Sequence, residues 1–91
     1  LPHVIRFNQA AVPDRVADLK RVVGISEEET LADWIADLVS DIGLPVRLAD
    51  LGVTATDLPA IAVGASNDHL SLTNPRRTTV DDYQKLLVAA L

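Results

Sequence analysis

The stretch from Ser26 to Ile42 constrains the fold of this chain more than any other segment. Ser26 with Glu29 three positions on is a capping-box pattern, and Glu27 and Glu28 favour the positive end of a helix dipole. Beyond them, Leu31, Trp34, Ile35, Leu38, Val39 and Ile42 recur at steps of three and four, which places them on one helical face. Gly43 and Pro45 then stop the run. The spacing predicts a helix over 26–42 at the centre of a helical bundle, with Trp34 in its core.

The remaining segments read as shorter helices joined by Gly and Pro turns. Pro2 to Asn8 carries Val4, Ile5 and Phe7 in a helical end. Pro13 suits a first helical turn, where its missing N–H is no loss. Val16, Leu19 and Val23 continue at helical spacing to Gly24, a left-handed stop. Val46 to Val53 is a connection with Leu48 and Leu51 as anchors. Thr56 is placed to cap a helix with Pro59 in its first turn and Leu58, Ile61, Ala62 and Ala65 on its buried side. Residues 67–77 read as irregular, with a turn at Asn74-Pro75. Thr79 caps a last helix, with Asp82 at the third position and Tyr83, Leu86, Leu87 and Ala90 as its apolar face. No alternating apolar run exceeds four residues, so sheet is not expected. The expectation is an all-α chain of four to five short helices forming a single helical domain over 1–91. Apolar residues make up 48% of it and aromatics only 3%, so its core is Leu, Val, Ile and Ala.

Chemistry is sparse. The chain has no cysteine, which removes disulfides, thiolate metal sites and a Cys nucleophile. Its two histidines, His3 and His69, belong to no HxxxH or HExxH pattern. His3 reads as structural or surface. His69 follows Asp68 in a non-helical stretch, where functional side chains concentrate. Gly24, Gly43, Gly52 and Gly64 are isolated and form no phosphate-cradling loop. Arg76-Arg77 is either an exposed turn or a carboxylate or phosphate contact. The net charge of −5 argues against a nucleic-acid partner, which would demand Lys and Arg. No run is long and apolar enough for a membrane span, and Leu1 to Ala10 does not read as a signal peptide. A cytoplasmic location is compatible with these features.

Several pieces, in order, carry a resemblance. Leu1-Pro2-His3-Val4-Ile5-Arg6-Phe7-Asn8 resembles the LPHVxRFN stretch of the iron-containing (group III) alcohol dehydrogenases. Ile42-Gly43-Leu44-Pro45, Asp50-Leu51-Gly52-Val53, Thr56-Asp57-Leu58-Pro59 and Leu72-Thr73-Asn74-Pro75-Arg76 are similar to LGLP, ELGV or DLGV, EEDLP and xTNPR segments of the same family. The resemblance spans the whole chain. It implies the C-terminal end of the family's helical metal-binding domain, within a longer enzyme whose N-terminal domain binds NAD or NADP.

The resemblance also implies that the metal ligands, one Asp and three His, precede Leu1, and that His3 matches a histidine that is not a ligand. No catalytic, cofactor-binding or metal residue is then expected within this chain, whose parent would use Fe²⁺ or Zn²⁺ with NAD(P). The loop before the NPR piece approaches the substrate in some members, which makes Asp68, His69 and Leu70 candidates for a substrate-cleft wall. Leu70 stands where members often carry Cys. The expected partner is the remainder of the parent. Faces left uncovered are expected at Val4, Ile5 and Phe7 and at Tyr83, Leu86 and Leu87, with self-association through them. A maleylacetate reductase relative and an independent helical interaction module are the competing readings.

Overall fold

A computed structural model describes all residues, Leu1–Leu91. It contains five α-helices, two 3-10 turns and no strand. The chain divides into two compact units, Leu1–Leu44 and Pro45–Leu91.

The first unit holds α1 (Pro2–Asn8), α2 (Pro13–Val23) and α3 (Leu31–Asp41). Pro13 sits in a first turn, as expected, and so does Pro2, so Pro2–Asn8 is a short helix with its own start and not only the end of one. Gly24 closes α2 at φ 76°, and the Ile25 N–H returns 3.2 Å to the Lys20 carbonyl. Only a residue tolerant of left-handed backbone makes that stop without strain. α3 packs against both α1 and α2. The Arg6 guanidinium of α1 meets the Asp33 carboxylate of α3 at 2.6 Å. Leu31 and Ala32 are buried, whereas Trp34 and Ile35 are half-buried and Leu38 and Ile42 are exposed.

α3 begins at Leu31, not after Ser26. Its cap is Thr30, whose hydroxyl accepts the Asp33 N–H at 3.1 Å and donates to the Asp33 carboxylate at 2.7 Å. Ser26 and Glu29 instead close a separate turn, the Glu29 N–H reaching the Ser26 hydroxyl at 3.3 Å. Two overlapping cap patterns compete here, and the reversal after α2 decides between them. Ile25 is tied back to Lys20, and the Lys20 ammonium donates to the Glu27 carbonyl at 2.7 Å. Residues 25–29 therefore make the bend and cannot also be helix.

The second unit holds α4 (Leu58–Asn67), α5 (Val80–Ala90) and two 3-10 turns, Leu48–Leu51 and His69–Thr73. α4 packs along α5, and Leu58 and Ala62 are its buried positions. Ile61 is exposed and Ala65 half-buried, so the expected four-residue side is covered only in part. Thr56 is not the cap of α4. Asp57 precedes the helix, and its carboxylate accepts from the Thr54 N–H at 2.8 Å and the Thr54 hydroxyl at 2.6 Å. A carboxylate that gathers two donors across one turn holds the entry more firmly than a single hydroxyl. α5 starts with the expected capping box between Thr79 and Asp82. At its far end the Leu91 carbonyl accepts from the Ala49 N–H and the Arg47 Nε–H, both at 3.3 Å. Those bonds fix the first 3-10 turn, where Leu48 is half-buried and Leu51 exposed.

The uncovered apolar surface differs from the expected one. Tyr83, Leu86 and Leu87 are half-buried, as are Ile5 and Phe7; Val4 is exposed. The most exposed large apolar side chains are Leu72 and Val22. Periodicity identifies which residues share a helix face. It does not say which faces meet, and the α5 face lies in the unit where α5 packs on α4.

Candidate functional site

The second 3-10 turn carries the three candidate cleft residues. Asp68 precedes it, and its Oδ1 accepts the Leu70 N–H at 2.8 Å. The same oxygen lies 3.4 Å from His69 Nδ1. The His69 side chain is 86% exposed and Leu70 is 63% exposed, so the turn presents an imidazole and an isobutyl group outward. Asp68 is thus a local cap whose Oδ1 also lies beside the imidazole.

Hydrogen bonds hold that turn in place. The Ser71 and Tyr83 hydroxyls are 2.7 Å apart, which joins the turn to α5. The Thr73 hydroxyl donates to the Leu70 carbonyl at 2.8 Å. Asn74 does more than mark a bend: its Nδ2 donates to the Arg76 carbonyl at 2.5 Å and to the Thr78 hydroxyl at 3.1 Å. Thr78 donates in turn to the Arg76 carbonyl at 3.0 Å. The segment read as irregular is therefore an ordered 3-10 turn followed by an Asn-braced bend. Asn before Pro is a turn-forming pair, but the bracing bonds of Asn74 and Thr78 leave no further trace in the sequence. Arg76 and Arg77 are exposed.

No three His, Cys, Asp or Glu side chains gather into a set that could hold a metal ion. His3 is half-buried in α1. Burial, then the Arg6 guanidinium and the terminal ammonium, lower its pKa from the ordinary 6.5. Three carboxyls are held below the ordinary 3.8: Asp33 by the Thr30 hydroxyl and Arg6, Asp57 by the Thr54 hydroxyl and N–H, and Asp82 by the Thr79 N–H and hydroxyl. Lys85 is raised above 10.5 by Asp81.

These directions fix the sign of the pH dependence. For His3 the unfolded chain takes the proton first, so stability falls as pH drops through about 6.5. The three carboxylates contribute above 3.8 and lose their contribution as pH falls through their lowered values. The Lys85 contribution is present below 10.5 and is lost as pH rises past its raised value. All four charged groups face solvent, so each effect is small. Melting followed by circular dichroism should show the highest Tm between roughly pH 7 and 10, with His3→Gln flattening the decline from 7 to 5. A Tm that rises on acidification from pH 7 to 5 would contradict these assignments.

The first unit contains a second feature, an open cavity of about 270 Å³ between its three helices. Ile5 and Asn8 of α1 border it, with Val16, Leu19 and Val23 along α2. Leu31, Trp34 and Ile35 of α3 form its other side. Asn8 is the only polar residue of the lining. No helix of the structure is long and apolar enough to cross a membrane.

Residues 1–91 match the model of the Fe-containing alcohol dehydrogenase family, C-terminal. Lactaldehyde reductase of Escherichia coli (strain K12) is 33% identical over 94 residues, a match covering 94% of this chain and 25% of that protein. The 1,3-propanediol dehydrogenase of Citrobacter freundii is 38% identical over 85 residues, covering 85% and 22%. Maleylacetate reductase 1 of Rhodococcus opacus is 33% identical over 90 residues, covering 99% and 24%. The crystal structure of a 1,3-propanediol oxidoreductase superposes with a TM-score of 0.89 at 32% identity, covering 99% of this chain and 26% of that one. The chain thus spans about a quarter of the length of these relatives.

Proposed function

We propose a function from one premise: the chain belongs to the Fe-containing alcohol dehydrogenase family, as its C-terminal part. In our reading it is the helical end of a cytoplasmic, NAD(P)-linked dehydrogenase. The parent would interconvert a small alcohol and its aldehyde, with the nicotinamide, when bound, supplying the hydride chemistry. The observation that carries this reading is the family match over the entire chain. The names of two relatives, a lactaldehyde reductase and a 1,3-propanediol dehydrogenase, support a short oxygenated substrate.

The residues present here do not fit the family's metal, since no ligand set converges and the two histidines have no ligand spacing. In this reading the metal and coenzyme sites belong to the part of the parent that precedes this one. The chain's own contribution is structural, together with a wall of the substrate cleft at Asp68, His69 and Leu70. Leu70 offers apolar contact there, and the exposed His69 beside the Asp68 carboxylate offers a hydrogen bond. The similarity to a maleylacetate reductase favours a second reading, a reductase of that type.

Assay of the parent protein with short diols, hydroxyacids and their aldehydes distinguishes the two. NAD(P)-coupled turnover of an alcohol, lost on chelation and restored by Fe²⁺ or Zn²⁺, is the expected result. Turnover of maleylacetate alone would support the second reading, and no nicotinamide-coupled activity would refute both.

A further inference from the structure

We propose that Tyr83 is a positioning residue for the substrate cleft. Through the Ser71 hydroxyl it sets where the second 3-10 turn holds His69 and Leu70, and so how strongly the parent prefers a substrate with a distal hydroxyl. This rests on the reading that Asp68, His69 and Leu70 wall that cleft.

Local bonds give the turn its shape. Asp68 Oδ1 accepts from the Leu70 N–H at 2.8 Å, the Asp68 carbonyl from the Ser71 N–H at 2.9 Å, and the Leu70 carbonyl from the Thr73 hydroxyl at 2.8 Å. Such bonds set how the segment winds, not where it sits against the rest of its unit. Apolar burial does not anchor it either, since Leu70 is 63% and Leu72 88% exposed. Ser71 is the half-buried residue of the turn, and its hydroxyl lies 2.7 Å from that of Tyr83, twelve positions on.

α5 supplies the fixed end. Tyr83 stands in its first turn, which the Thr79–Asp82 capping box closes, and the Tyr83 N–H donates to the Thr79 carbonyl at 3.0 Å. α5 in turn packs along α4. A tyrosine ring turns about only two torsions, so the hydroxyl at its tip has little freedom. With about three residues per turn, Ser71 takes one side of the 3-10 turn while His69 and Leu70 take the other two. A rotation about Ser71 therefore re-aims both side chains together, and misplacement by about 1 Å is enough to spoil the alignment of a bound substrate. Asp68 Oδ1 beside His69 Nδ1 leaves Nε2 for a substrate hydroxyl.

The test compares 1,3-propanediol with 1-propanol in the intact parent, because the two differ only in that distal hydroxyl. Tyr83→Phe keeps the ring and removes the bond. It should lower kcat/KM for the diol relative to 1-propanol by roughly three- to tenfold, the range of one hydrogen bond of ordinary net strength. The change should lie mostly in the KM for the diol, with the KM for NAD(P) and the metal content unchanged. Ser71→Ala should give the same shift, and the double variant no more than either single one. Ser71→Thr, which keeps a hydroxyl, should keep the original ratio. Amide hydrogen exchange over 69–73 should quicken in Tyr83→Phe and Ser71→Ala but not in Ser71→Thr. An unchanged ratio in Tyr83→Phe, or a loss shared equally by both alcohols, would overturn the inference and leave the proposed function standing. A parent that oxidises neither alcohol refutes the proposed function itself, and the inference with it.

Discussion

Replacing Leu58 by alanine lowers the unfolding free energy of the chain by about 2–5 kcal/mol. Leu58 is 3% exposed at the start of α4, one turn from Ala62, which is fully buried. Truncation removes the transfer free energy of three carbons and leaves a void that the neighbours fill only in part. The effect is large here because so little else is buried: Leu31, Ala32 and Ala62 are the other buried apolar residues. A domain of this length has only about 5–14 kcal/mol of stability in total, so Leu58→Ala removes a substantial share. Leu72→Ala, at a position 88% exposed, should change stability by less than about 0.5 kcal/mol. Urea unfolding followed by helical circular dichroism compares the two. Equal midpoints for both variants would show that the packing of α4 does not hold this part of the chain together.

The all-helical class was legible because the strongest signals act locally. Pro13 at a first turn, Gly24 at a left-handed stop and the Thr79–Asp82 box need no knowledge of tertiary contacts, and each stands where it was expected. Ser26 and Thr56 misled for a different reason. Each lies near a second group that can hold the same turn, Asp33 with Thr30 in one case and Asp57 with Thr54 in the other. Which of the two starts the helix depends on how the preceding chain is already tied, as the bond from Ile25 to Lys20 shows.

The candidate site was legible only through resemblance. Asp68, His69 and Leu70 have no spacing that sets them apart, and the bonds that order their turn come from Ser71, Thr73 and Tyr83. A Ser–Tyr hydroxyl pair twelve positions apart leaves no periodic trace in a sequence. The apolar cavity was equally hidden, because it depends on how three helices cross, not on any one of them.

In the proposed function, the metal and nicotinamide sites lie in a part of the parent other than this C-terminal family region. The most direct test is isothermal titration of the 91-residue chain and of the intact parent with Fe²⁺, Zn²⁺ and NADH. The parent should bind one metal ion and the nucleotide saturably. The chain by itself should show no saturable binding tighter than about 10 μM, roughly −7 kcal/mol. Replacing His3 and His69 together in the parent should leave metal stoichiometry unchanged. Stoichiometric tight binding of metal or nucleotide to the isolated chain, or loss of the parent's metal in the double variant, would contradict the account.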